Sequence, residues 1–149
     1  MSQSFSFAGS QLAARMQLRE DLGKLTLRLV IAVLIILHGI AKLRFGLGDV
    51  VPALERHNIP QAVGYLVLLG EVLAPALMIV GLWTRPAASL LAATMAVALV
   101  LGHPRELIQM TRHGGLLLEV QWMYLLGAVA VALLGAGRFS VGGVTGRWN

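Results

Sequence analysis

The sequence predicts an all-α integral membrane protein, an antiparallel bundle of four transmembrane helices in a single domain. Three observations predict it. The apolar and aromatic residue types AVILMFWYC make up 57% of the 149 residues, and only 13% of the residues are charged. A soluble domain this small exposes a large surface and carries about 25% charged residues. Four long apolar stretches are the third observation, since each approaches the ~20 residues that cross ~30 Å of hydrocarbon.

The four apolar stretches are 17 to 22 residues long. They must be helices, because an open strand in lipid would leave its backbone groups without hydrogen bonds. The alternation of polar and apolar residues that is typical of a membrane β-barrel is missing from them. The predicted spans are residues 25–43, 62–83, 86–102 and 116–135.

The segments on either side of the spans complete the predicted domain organisation. Residues 1–24 are an N-terminal tail or interfacial helix, residues 25–139 the transmembrane domain, and residues 140–149 a C-terminal tail. Leu12, Met16 and Arg19 recur at helical spacing, which favours a short interfacial helix over residues 11–22; a disordered tail is the open alternative. Seven Lys and Arg residues on the side of the two termini, against five opposite, favour cytoplasmic termini.

Composition also excludes several classes of site. The chain has no cysteine, which excludes disulfides, thiolate catalysis, Fe–S clusters and cysteine zinc sites. The net charge is +5, but the 12 Lys and Arg residues are scattered singly, so nucleic-acid binding is not expected. Phosphate loops, dinucleotide fingerprints, serine elbows and zinc-binding helix motifs are missing, and we predict no metal site.

Five of the ionisable residues within the spans or at their ends fall in the same half of the bilayer, because the helices alternate in direction. His38 and Lys42 share a helical face, Glu71 lies roughly 13 Å deep in span two, His103 closes span three, and Glu119 opens span four. Charges inside spans are costly and usually face the interior of the bundle. We therefore expect an ion pair between Lys42 and Glu71, with His38 and Glu119 hydrogen-bonded around it.

Pro75 adds a second feature near Glu71. Because proline has no N–H, the backbone carbonyl of Glu71 loses its helical donor, and the resulting kink opens space in the bundle. The candidate catalytic residues are Glu71, His38, Lys42 and Glu119, and the candidate residues of a ligand pocket are His38, Lys42, Glu71 and His103.

Each of these residues also has a simpler interpretation. Lys42 could extend to the interface, and His38 could hydrogen-bond a backbone carbonyl. Glu119 and His103 could only mark where their spans leave the hydrocarbon. The whole cluster could act as structural polar contacts between helices. Haem b held axially by His38 and His103 is disfavoured, because two histidines among four carry little specificity.

A set of residues and short motifs lies in a fixed order along most of the chain. They are Arg28, His38-Gly39-Ile40-Ala41-Lys42, Pro60, Glu71, Gly81-Leu82-Trp83-Thr84-Arg85, His103, Glu119 and Gly137-Arg138-Phe139-Ser140. In these residues the sequence resembles the DoxX family of small four-span membrane proteins, over about residues 28–140. The family often has an acidic residue soon after the last serine, whereas Val141-Gly142-Gly143 follows Ser140 here. The resemblance implies a link to redox chemistry, since some relatives are subunits of thiosulfate:quinone oxidoreductase and others associate with membrane redox or oxidative-stress complexes. It makes the pocket of His38, Lys42, Glu71 and His103 a candidate quinone pocket.

Together these features predict a quinone-linked redox protein, or the membrane subunit of an oxidoreductase, in a bacterial cytoplasmic (inner) membrane. Lys42 or His38 would donate a hydrogen bond to a quinone carbonyl, and Glu71 or Glu119 would accept protons. The expected partners are lipid, quinone, oxidoreductase subunits and further copies of the chain. A non-catalytic assembly or stress-tolerance protein and a carrier of a small solute or protons are the alternatives.

Overall fold

The computed structural model describes residues 2–48, 50–143, 146, 148 and 149, with side chains from residue 11 onward. Within these residues the regular structure is helical, apart from one isolated bridge between Met110 and Leu116. Of the five α-helices, the third is preceded by a 3-10 turn and a π turn, and the fourth is continued by a second π turn. The helices are α1 (Ser2–Phe45), α2 (Val51–Arg56), α3 (Ala74–Val80), α4 (Thr84–Val97) and α5 (Glu119–Leu134), and the turns are Gln61–Leu66, Leu69–Leu73 and Ala98–Gly102.

Three helical stretches of the described chain are long and apolar enough to cross a membrane, namely Gln11–Phe45, Gln61–Val80 and Thr84–Gly102. The fourth predicted span is helical only from Glu119, so α5 is a shorter apolar helix of 16 residues. Large apolar side chains point outward along these helices, with Leu133 72% and Leu126 62% exposed. The chain is an all-helical membrane protein whose apolar surface contacts the lipid bilayer.

The first helix differs from its prediction. It runs for 44 residues without a break, about 66 Å, which is twice the thickness of the hydrocarbon layer. The expected boundary between residues 24 and 25 is absent, so residues 2–24 form neither a disordered tail nor a separate helix. Residues 11–22 are mostly strong helix formers without proline, and nothing there ends the helix. The location of this extension at the membrane interface stays a prediction.

One face of α1 is buried along its membrane part. Its members recur every three or four residues, as a helix that packs along one side requires. Ile31, Ala32 and Ile35 form the apolar middle of this face, and they pack in one core with Met78 of α3, Leu91 of α4 and Val131 of α5. The face carries a cation near each end. From one end to the other it includes the buried residues Arg28, Ile31, Ala32, Ile35 and Gly39, and it ends at the half-buried Lys42.

A three-residue turn joins α3 to α4. Gly81 adopts φ 74° and Trp83 adopts φ 50°, and the Leu82 N–H donates to the Leu77 carbonyl at 3.0 Å. This is the left-handed glycine ending that satisfies the last carbonyls of a helix. It brings α3 and α4 side by side, and they pack directly against each other.

Candidate functional site

The expected ion pair between Lys42 and Glu71 is present. The Nζ atom of Lys42 lies 2.6 Å from each of the two carboxylate oxygens of Glu71. The Lys42 side chain is 20% exposed, whereas that of Glu71 is only 4% exposed. Glu71 is therefore enclosed behind Lys42, and Lys42 is the partner that a ligand or water can reach.

The backbone around Glu71 departs from a regular α-helix. The π turn Leu69–Leu73 surrounds Glu71, and the Ala74 N–H donates back to Leu69 five residues earlier. Pro75 has no N–H, so it cannot donate to the Glu71 carbonyl. That carbonyl faces Gly39 of α1 so closely that a Cβ at residue 39 would collide with it. The glycine allows α1 and the second span to approach until Lys42 reaches the carboxylate.

Lys42 also lines a cavity of about 300 Å³. The cavity lies where the end of α1 meets α2 and the 3-10 turn, and its walls are partly polar. Its volume is at the lower end of the range for small-molecule sites, about 300–1,000 Å³. Its other lining residues include Leu47, Val51, Gln61, Tyr65 and Leu68.

His38 is not part of this arrangement, contrary to the prediction. Its side chain is exposed, and within the described chain its contact is with Tyr124 of α5, edge to face at 6.0 Å between ring centroids. His38 lies about 100° around α1 from Gly39, which faces the second span. The short imidazole therefore points toward α5, while the longer Lys42 side chain can fold back to Glu71.

Glu119 and His103 are also separate from the ion pair. Glu119 is exposed at the first turn of α5, and it makes no hydrogen bond to Lys42 or Glu71 in the described residues. His103 follows the π turn of α4, and its Nδ1 lies 2.9 Å from Glu106 Oε2. The expectation that Glu119 hydrogen-bonds to the pair is wrong, because α5 starts at this residue and leaves its side chain at the surface.

A second polar cluster, which sequence reasoning did not single out as a site, lies at the opposite end of the bundle. Arg28 is only 1% exposed, and its guanidinium donates to the carbonyls of Ala136 at 2.7 Å and Phe139 at 2.8 Å. Its Nε has no hydrogen-bond partner within the described residues. Gly81 packs against both Arg28 and Ser140. Arg28 thus attaches the segment after α5 to α1.

The signal for this cluster was a single cation four residues inside a predicted span. Such a residue can also extend to the interface, so the sequence alone favoured an anchoring role. Among the residues with described side chains, no three His, Asp or Glu residues come together as a metal site.

A family model, DoxX, matches residues 23–104, more than half of the chain. The chain belongs to the DoxX family. The DoxX match contains Arg28, His38, Lys42, Glu71 and His103, but it ends before α5 and Glu119. No curated protein and no solved structure matches the chain significantly.

Proposed function

We propose that this DoxX protein is a quinone-linked redox protein, or the membrane subunit of an oxidoreductase, and that Lys42 and Glu71 form its quinone site. The supporting observation is the ion pair whose lysine lines a cavity of about 300 Å³. Tyr65 and Gln61, which also line the cavity, add a ring and an amide, which suit a flat ligand with carbonyl groups.

The two side chains have different parts in this proposal. The partly exposed Lys42 ammonium donates a hydrogen bond to a quinone carbonyl in the cavity. Glu71 is enclosed behind Lys42 and balances its charge. When the ligand is reduced or reoxidised, a proton passes between Glu71 and the ligand by way of Lys42. Neither His38 nor Glu119 is included, because neither contacts the pair in the described residues.

Electrons must arrive from a partner or a substrate in this proposal. The chain has no cysteine, so thiol and Fe–S relays cannot carry them within it. The proposal therefore favours a membrane subunit that holds the quinone while a partner subunit delivers the electrons.

The proposal includes a membrane topology. α5 is about 24 Å long and, with the ordered turns before it, completes a fourth span in an antiparallel bundle. Both termini then lie on the cytoplasmic side of a bacterial inner membrane, as the count of Lys and Arg favours.

Exchange of the two charges tests the site. The double variant Lys42→Glu/Glu71→Lys keeps the net charge and the ion pair, but puts a carboxylate, which only accepts hydrogen bonds, at the cavity wall. We expect retention of a short-chain ubiquinone by the full chain in nanodiscs to fall about tenfold, the loss of one charge-assisted hydrogen bond. The matched control is Arg19→Glu/Glu20→Lys, which exchanges two exposed charges on α1.

A second double variant distinguishes loss of the quinone site from a failure to fold. Lys42→Met/Glu71→Met removes both charges together, which buried pairs tolerate far better than loss of one partner. This double variant should fold, and it should no longer retain ubiquinone. Unchanged retention in either folded double variant would overturn the proposed site.

A structural role is the second candidate, and a specific observation favours it. The ion pair and the Gly39 contact join the same two helices at neighbouring turns, as polar contacts that specify helix packing do. In that case the charge-exchanged protein would be as stable as the wild type, and the wild type itself would retain no ubiquinone.

A further inference from the structure

A second cavity, of about 440 Å³, opens between the end of α2 and the turn that follows α4. It shares no lining residue with the cavity at Lys42, although both border on α2. Its walls are formed mainly by ionisable side chains, and the apolar residues typical of a quinone site are missing from them. The ionisable lining residues are Arg56, His57, His103, Arg105 and Glu106.

The charge of this cavity is positive. Arg56 and Arg105 are permanent cations, and Glu106 is the one carboxylate among the lining residues. Glu106 is engaged by His103 Nδ1 at 2.9 Å, which offsets its repulsion of an anion. The ring N–H of His57 can donate a further hydrogen bond.

Arg56 is held in place before any ligand binds. Its Nε donates to the Pro52 carbonyl at 3.2 Å, and its Nη2 donates to the Gly102 carbonyl at 3.1 Å. The bond to Gly102 connects α2 to the end of the third apolar stretch, and Nη1 has no hydrogen bond in the described chain. Arg105 is exposed, as Arg56 is, but makes no hydrogen bond or ion pair with the described residues. Both guanidinium groups can therefore donate to a ligand.

The cavity adjoins the end of an apolar stretch, where lipid headgroups are expected. Gly102 ends the apolar stretch Thr84–Gly102, and His103 follows directly. The residues after a span meet the layer in which phospholipid phosphates lie, and basic pockets between spans bind such headgroups. Guanidinium groups suit phosphate because they offer several N–H donors in one plane.

We infer that the cavity lined by Arg56, His57, His103 and Arg105 binds a phosphate group, from an anionic phospholipid or from a soluble phosphate compound. The site is independent of the proposed quinone function. Arg56 supplies the fixed donor, and Arg105 closes over the phosphate from the surface.

The test compares two exposed arginines of the same loop. Arg105→Gln removes a cavity residue, whereas Arg112→Gln removes the same charge from an arginine that does not line the cavity. The full chain is purified, and bound phosphatidylglycerol and phosphatidylcholine are counted by native mass spectrometry. Inorganic phosphate is titrated separately, with tryptophan fluorescence as the signal. Trp122 contributes to this signal, and its indole donates to the Leu107 carbonyl of this loop at 3.0 Å.

We expect Arg105→Gln to weaken binding about tenfold and Arg112→Gln to leave it unchanged, because one charge-assisted hydrogen bond is lost in the first variant alone. Selective retention of phosphatidylglycerol identifies a lipid headgroup, and saturable binding of phosphate without lipid selectivity identifies a soluble ligand. Equal weakening in both variants would show general charge attraction and overturn the site. Absence of both phosphate binding and lipid selectivity in the wild type would also overturn it.

Discussion

The backbone carbonyl of Glu71 lies directly against Gly39, about one turn before the lysine that holds the Glu71 carboxylate. One residue of the second span is thus held twice by α1, through its backbone and through its side chain. The absence of a side chain at residue 39 is what allows both contacts, because any Cβ there would push the two helices apart.

Gly39→Ala should therefore destabilise the fold by about 1–3 kcal/mol, the usual cost of overpacking. Gly23→Ala on the same helix is the control, since a Cβ at residue 23 meets nothing within 4 Å. The control should be neutral, or more stable by about 0.5–1 kcal/mol, because alanine favours helix over glycine. Unfolding by SDS titration in mixed micelles measures both. Equal stability of the two variants would contradict the close approach.

The two members of the ion pair should differ in what their removal costs. Lys42→Met leaves an enclosed carboxylate without its cation, and we expect a loss of about 3 kcal/mol. Glu71→Gln leaves an amide that still accepts a hydrogen bond, and the lysine keeps access to the cavity, so about 1–2 kcal/mol is expected. The same SDS titration compares them. A larger loss in Glu71→Gln would mean that Lys42, rather than Glu71, is the enclosed partner.

Arg28→Met should affect one segment of the chain more than the whole fold. The lost hydrogen bonds to Ala136 and Phe139 are offset by relief from burying a cation, so global stability should change by less than about 1 kcal/mol.

The N–H groups of Val141 and Gly142, which donate to Val80 and Gly81, should then exchange with solvent about tenfold faster. Hydrogen exchange with mass spectrometry checks this, with Arg15→Met as the control at an exposed residue of α1. Unchanged exchange would show that Arg28 does not attach this segment.

His38→Phe should keep both the fold and any ubiquinone retention. Phenylalanine preserves the edge-to-face contact with Tyr124, which is worth about 0.5–1.5 kcal/mol, while the ring nitrogens are lost. Ubiquinone retention and SDS titration are measured together. A folded variant that no longer retains ubiquinone would show that His38 is part of the quinone site.

The membrane helices and the ion pair of this protein could be predicted from its amino-acid sequence. Apolar stretches of 17 to 22 residues indicate membrane helices because lipid cannot hydrogen-bond the backbone, whatever the neighbouring helices are. The depth of Glu71 and the direction of each span also indicated which cation it would meet. The ion pair with Lys42 was predictable because a carboxylate there has no route to water.

Tertiary packing determined which polar side chains meet and which are buried. His38 and Lys42 share a helical face, yet only Lys42 reaches Glu71, because the position of Gly39 sets which side of α1 the second span covers. Arg28 is buried because the segment after α5 returns across the bundle, a path that no local pattern encodes. Local spacing determines what each helix presents, whereas the contact angle between helices determines which of those side chains meet.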